Sequence, residues 1–99
     1  MTTPESRLHR RVRRDFPESG SASEILRLLA DLPHQTGVDA LGTERVQAAI
    51  VLLARGNLAR FRQALVLSTL DWRDVLVSAG LADEDWPTRL DRELGAVPD

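Results

Sequence analysis

The sequence predicts an all-α fold, a compact bundle of four to five short helices around a buried central helix at about residues 44–55, and three observations carry that expectation. Residues 46–54 read V-Q-A-A-I-V-L-L-A, with Gln47 the only polar residue of the nine. A helix with that pattern is apolar on nearly every side and belongs among other helices rather than on a surface. Start and stop signals bracket it: Thr43 and Glu44 before, Arg55 and Gly56 after. Elsewhere glycine and proline divide the chain into pieces of helical length whose apolar residues recur three and four apart. A buried strand is the competing reading of 46–54, but the alanines and the flanking signals favour helix.

Taken in order, Thr3-Pro4-Glu5 has the form of a helix start, with Thr3 as N-cap and proline in the first turn. Leu8, Val12 and Phe16 then share one face among arginines, a stripe thin enough to dock only loosely. Phe16-Pro17 ends that helix, because a residue before proline is driven out of helical geometry. Residues 18–22 read as a joint. Ser21 and Glu24 match a capping box, opening a helix over about 22–32 that buries Ile25, Leu28, Leu29 and Leu32, with Leu26 at its margin. Pro33 is expected to stop it. Residues 33–42 then form the longest irregular piece, with Val38 and Leu41 tucked inward.

Thr43 caps the central helix, and Asn57 caps the next, over about 58–68, with Leu58, Phe61, Ala64 and Leu65 inward and Arg60, Arg62 and Gln63 outward. The one- or two-residue turn between them predicts an antiparallel hairpin, with residues 46–53 against 61–65. Asp71 caps a fourth core helix, with Asp74 as the second acid of its box, and Trp72, Val75, Leu76 and Ala79 as its apolar face. Gly80-Leu81 has the form of a left-handed stop with an apolar contact back onto the helix. A last helix begins at Trp86-Pro87, carries the stripe Trp86, Leu90 and Leu94, and ends at Gly95. The organisation expected is a basic N-terminal arm or loosely docked helix over 1–20, a helical domain over 21–95 and a tail over 96–99, with no repeat.

Composition bounds function more than it assigns it. Ninety-nine residues without a cysteine make one domain that cannot use disulfides, thiol nucleophiles or cysteine metal sites. No apolar run reaches membrane-spanning length and the arginine-rich start lacks the apolar stretch of a secretion signal, so the expectation is cytoplasmic with no membrane contact. The formal charge of −2 is uneven. Residues 1–14 hold five arginines against Glu5, a surplus of four, which leaves −6 on the body. All thirteen basic residues are arginine, a pattern of GC-rich codon usage first and of bidentate ion pairing second.

No catalytic, cofactor or metal site is expected. His9 and His34 lack partners at ligand spacing, and Pro33 should break the helix that would align Asp31 with His34. Asp83-Glu84-Asp85 reads as acids crowding a helix start rather than a calcium loop. Trp72, Arg73, Asp74 and Trp86 are the candidate interaction residues, since tryptophan and arginine concentrate energy at interfaces; a tryptophan filling the core behind a capped helix start is the plainer account. Arg7, Arg10, Arg11, Arg13 and Arg14 are the candidate phosphate contacts of an alternative, nucleic-acid-associated role. Against that role, no aromatics interleave with them and the body that would follow is acidic. The hairpin resembles a helix-turn-helix only in outline, because Arg60 and Arg62 diverge by about 200° around their helix.

The segment E-R-V-Q-A-A-I-V-L-L-A-R-G-N-L-A-R-F-R-Q-A-L, followed by D-W-R-D-V-L-V-S-A-G-L-A-D-E-D-W-P, resembles a group of small uncharacterised bacterial proteins of high-GC type. The resemblance covers roughly residues 20–95. It implies a compact helical domain of cytoplasmic bacterial origin and carries no activity or ligand to any residue. The function expected is therefore a small non-enzymatic protein-interaction or self-association domain, a homodimer included.

Overall fold

A computed structural model describes residues 6–18 and 20–95. Among them the chain forms five α-helices and one 3₁₀ turn, without strands: α1 (Arg7–Asp15), α2 (Ser21–Thr36), the 3₁₀ turn (Asp39–Gly42), α3 (Glu44–Ala54), α4 (Leu58–Ala79) and α5 (Trp86–Leu94). The chain is the all-α bundle its sequence predicts.

Helix α3 is the enclosed post. Val46, Ala48, Ala49, Ile50, Val51 and Ala54 are at most 2% exposed, so burial runs round the helix instead of along one stripe. Its capping follows the sequence: the Thr43 hydroxyl accepts from the Val46 amide, and Arg55 (φ 49°) and Gly56 (φ 74°) both turn left-handed at its end. Asn57 then accepts from the Arg60 amide to start α4, closing the expected hairpin. Gly56 has a second reason to be glycine. A Cβ there would sit 3.0 Å from the Asp15 carbonyl oxygen, so only glycine lets the end of α1 approach the turn this closely.

Helix α2 departs from expectation at both ends. It begins after a left-handed Gly20 with no side-chain cap, so Ser21 is the first helical residue and not the cap of a box with Glu24. At the far end Pro33 lies inside the helix, which continues to Thr36 and closes on left-handed Gly37. Proline removes one amide, and the carbonyl four residues earlier, that of Leu29, loses its helical donor. Gln47 supplies the substitute: its Nε2 donates to the Leu29 carbonyl oxygen at 3.0 Å and also reaches the Leu41 carbonyl oxygen at 3.3 Å. The one polar side chain of the apolar post thus repairs the helix that proline interrupts and ties the 3₁₀ turn to it. Leu41 is buried as expected, whereas Val38 is 38% exposed.

Helix α4 joins what reads as two helices. Asp71 is extended (φ −157°, ψ 89°), and its carboxylate accepts from the amides of Arg73 and Asp74, so it caps the second half as anticipated, at a kink that brings Ser78 to the same depression as Arg60, Gln63, Ala64 and Leu67 of the first half. Leu58, expected inward, is 38% exposed at the first turn. Gly80 (φ 76°) ends α4, with the Leu81 amide donating to the Leu76 carbonyl oxygen and Leu81 itself buried. Leu90 and Leu94 of α5 complete the core.

The stripe of α1 is core, not a loose attachment. Leu8, Val12 and Phe16 are buried, and the Phe16 ring meets Phe61 edge-on at 6.3 Å. The helix starts at a Ser6 cap whose hydroxyl accepts from the His9 amide; the expected start at Thr3-Pro4-Glu5 lies outside the described residues, as does the 96–99 tail. What converts a thin stripe into a firm contact is Arg7, 6% exposed. Its guanidinium donates to Glu44 of α3 through Nε (3.2 Å) and Nη2 (2.7 Å), to Asp91 of α5, and to the Gly95 carbonyl oxygen at 3.0 Å. Three helices meet on one cation. The bond to Glu44 raises its pKa above the ordinary arginine value, burial opposes that, and Asp91 adds to the rise. A raised pKa means the contribution is complete at every pH below the ordinary arginine range and is lost only above it, so this group adds no pH dependence near neutrality.

Gln47→Leu should cost about 1–3 kcal/mol in urea unfolding, because it leaves the Leu29 and Leu41 carbonyls unpaired. In a Pro33→Ala background, where residue 33 regains an amide for Leu29, that cost should shrink by about 1 kcal/mol; an unchanged cost would show that the two sites are uncoupled. At the cation, Glu44→Ala should destabilise by about 2 kcal/mol and more than Arg7→Met does. The first strands a buried charge, whereas the second frees carboxylates that are 41% and 55% exposed and readily solvated.

Candidate interaction surface

Helix α4 buries one side against α3 and turns the other to solvent. Phe61, Ala64, Ser68, Val75 and Leu76 are its buried residues. Ser68 before the kink and Val75 after it are both buried, so each half of α4 turns one side to the core. Val66 and Leu70, four apart on the first half, are 59% and 79% exposed, and Val77 on the second half is 65% exposed. Scattered surface aliphatics are ordinary, but Val66 and Leu70 stand about one helical turn apart and form a local apolar pair.

The sequence-derived interaction residues have different settings. Arg73 and Asp74 are exposed at the start of the second half of α4. Trp72 is half-buried against the core, with the Arg73 guanidinium 5.3 Å from its ring centroid. Trp86 is elsewhere, half-buried at the start of α5 beneath Arg45, whose guanidinium lies 4.7 Å from the ring centroid and whose Nε donates to the Leu81 carbonyl oxygen at 2.9 Å. Each tryptophan therefore has an indole face covered by its own arginine. The two do not form one patch with Asp74. Val66, Leu70 and Val77 are the residues that sequence reasoning left out. Their signal is the run A-L-V-L-S-T-L over 64–70, which holds more large aliphatics than one buried face accommodates.

The five arginines of the N-terminal segment divide into two kinds. Arg7 is consumed by the three-helix cluster and is not available to a phosphate. Arg11 is largely engaged, donating through Nε to Asp15 at 2.9 Å and through Nη1 to the Glu93 carbonyl oxygen at 2.6 Å. Arg10, Arg13 and Arg14 are exposed. Arg10 and Arg14, with Arg92 of α5, line a depression of about 300 Å³. The surplus charge at the start of the chain is thus partly an internal bracket and partly a basic rim.

Two further groups have altered settings. Because α2 runs through Pro33, Asp31 and His34 do share a helix face and border a depression of about 390 Å³ with Arg27, contrary to the expectation that proline separates them. Asp31 accepts from Gln35 Nε2 at 2.6 Å. Asp85 of the acidic turn accepts from Arg89 at 3.3 Å. Among the described residues no cluster of three or more histidine, aspartate or glutamate side chains is arranged to hold a metal, and no helix is long and apolar enough to cross a membrane. A further concave surface, about 360 Å³, is bordered by Asp15, Phe16 and Pro17 on one side and Asn57 and Leu58 on the other.

Removing α1 to test its arginines would also remove Leu8 and Val12 from the core. Val12→Ala alone should cost about 1–3 kcal/mol in thermal or urea unfolding, whereas Arg10→Gln with Arg14→Gln should change stability by less than about 0.5 kcal/mol. No family model, no curated protein and no solved structure matches this chain.

Proposed function

We propose that the protein is a non-enzymatic protein-interaction domain that engages its partner through the outward face of α4. The observation carrying this proposal is Leu70, 79% exposed between Val66 and Val77 on a helix whose other side is fixed in the core. The first half of α4, presenting Val66 and Leu70 about one turn apart, offers a ready surface for another helix, at little ordering cost on its own side. Arg73 and Asp74, exposed just beyond the kink, supply orientation. The resemblance to small bacterial proteins supports a bacterial cytoplasmic setting for this role.

A photoreactive phenylalanine analogue in place of Leu70, in cells making the protein at its native level, should give cross-linked adducts. The same analogue in place of Asp31, on the exposed side of α2, should not. Equal yields at the two positions, or none at 70, would overturn the proposal.

A second reading, nucleic-acid association, is favoured by one observation: Arg10, Arg14 and Arg92 gather around one depression while the rest of the body is acidic. If it holds, Arg10→Gln with Arg14→Gln should weaken retention on random-sequence DNA at about 50 mM salt and flatten its salt dependence by about two counterions. Identical retention by the variant would end it.

A further inference from the structure

We infer that the α4 face receives an acidic, aliphatic segment of another protein, whose carboxylates pair with Arg55 and Arg60 across the cleft opened by the kink at Asp71. This rests on the interaction proposal above and adds the partner's chemistry and its anchor points. The cleft is a product of the kink. It is bordered by Arg60, Gln63 and Leu67 of the first half of α4, by Ser78 of the second half, and by Leu53 and Arg55 at the end of α3, and it encloses about 410 Å³ open to solvent. Gln63, Val66, Leu67 and Leu70 all precede the kink at spacings of three and four, so they share one helix face. The cleft is therefore continuous with the exposed pair of Val66 and Leu70.

Charge decides what fits there. No acidic side chain borders the cleft, although the body of the chain is acidic. Arg55 and Arg60 are both exposed, and neither guanidinium has a hydrogen bond or ion pair among the described residues. Arg55 is also the one non-glycine residue at positive φ (49°) among them. A left-handed turn favours glycine, so an arginine there is held at some cost to stability while its guanidinium bonds nothing in the fold. Guanidinium groups take carboxylates or phosphates in bidentate pairs, and the neighbouring apolar residues choose between the two. A nucleic-acid backbone would leave Val66, Leu67 and Leu70 nothing apolar to bury against, whereas an acidic segment with aliphatic residues satisfies both parts of the surface. An open cleft also suits a partner's side chains better than a small metabolite, which needs most of its surface enclosed. A second copy of this chain fits less well, because its acidic run 83–85 lies between buried Leu81 and Trp86 under Arg45, with no large aliphatic side chain exposed beside it.

The photoreactive analogue at position 70 tests this in cells when the linked peptide is sequenced by mass spectrometry and the experiment is repeated with Arg55→Gly and Arg60→Gln together. The linked peptide should come from another protein and carry a net negative charge beside aliphatic residues. In the double variant the adduct yield should fall at least about fivefold. Glycine relieves the left-handed position, so the melting temperature of that variant should be no lower than the parent's, and the partner is lost without loss of the fold. Arg60→Gln alone leaves the turn untouched and should lower the yield about twofold. Arg10→Gln with Arg14→Gln, which border a different depression, should leave it unchanged. The sequenced peptide, synthesised with a fluorescein label, should bind the purified full chain at least about tenfold more weakly once its acids are replaced by amides. An adduct yield indifferent to the cleft variants, a neutral or basic linked peptide, or one from a second copy of this chain would overturn the inference and leave the interaction surface standing. No adduct at 70 removes both.

Discussion

The hydrogen bond from Gln47 Nε2 to the Leu29 carbonyl oxygen is the constraint on which the rest of this small core turns. Pro33 leaves that carbonyl without its helical amide, and a carbonyl inside a helix bundle has few other donors within reach. Gln47 projects from the most apolar helix of the molecule, where a polar side chain has to be paired with something. Each group answers the other. Because the amide also reaches the Leu41 carbonyl oxygen, one side chain fixes the register of α2, the 3₁₀ turn and α3 together. Gly42 lets the Pro33 ring settle against the turn, since a Cβ there would lie 3.1 Å from Cγ of the proline.

Arg7 plays the electrostatic counterpart at the first turn of α3. A buried guanidinium is tolerable when its donors are used, and here two carboxylates and a carbonyl take four of its five. Glu44 is also in the first turn of α3, where its charge suits the positive end of the helix. The same residue therefore starts the post and receives α1. This is why a helix with a stripe of only Leu8, Val12 and Phe16 is held in place: its apolar contact is narrow, but its polar contact is bidentate and made by a buried cation.

With α1, α2 and the hairpin locked in this way, each half of α4 keeps one face inward on its side of the break at Asp71. The inward stripe fixes the outward one. Val66 and Leu70 consequently face outward because Phe61, Ala64 and Ser68 are buried, and Val77 because Val75 and Leu76 are, not because of any local preference of their own. The buried and exposed faces of each half are thus two consequences of one periodicity.

Much of this was determined locally. Thr43, Asn57 and Asp71 act as caps where the sequence puts them, Gly80-Leu81 closes α4 as its pattern implies, and the apolar run 46–54 becomes the enclosed helix. Capping and periodicity involve neighbours within a turn or two, so composition and spacing are enough to reveal them. Long-range partners decided the remainder. Pro33 ends a helix only if nothing rescues the Leu29 carbonyl, and the rescuer is eighteen residues away. Arg7 reads as one of five solvated arginines until Glu44 and Asp91, thirty-seven and eighty-four residues on, surround it. Trp72 and Trp86 look alike in sequence, each beside charged residues at a helix start, yet Arg73 of the next position covers the first and Arg45 of another helix covers the second. Sequence by itself determined where helices begin, end and hide their apolar residues; only the tertiary structure decided which polar groups would be shielded together, because that depends on the meeting of helices and not on the order of residues along any one of them.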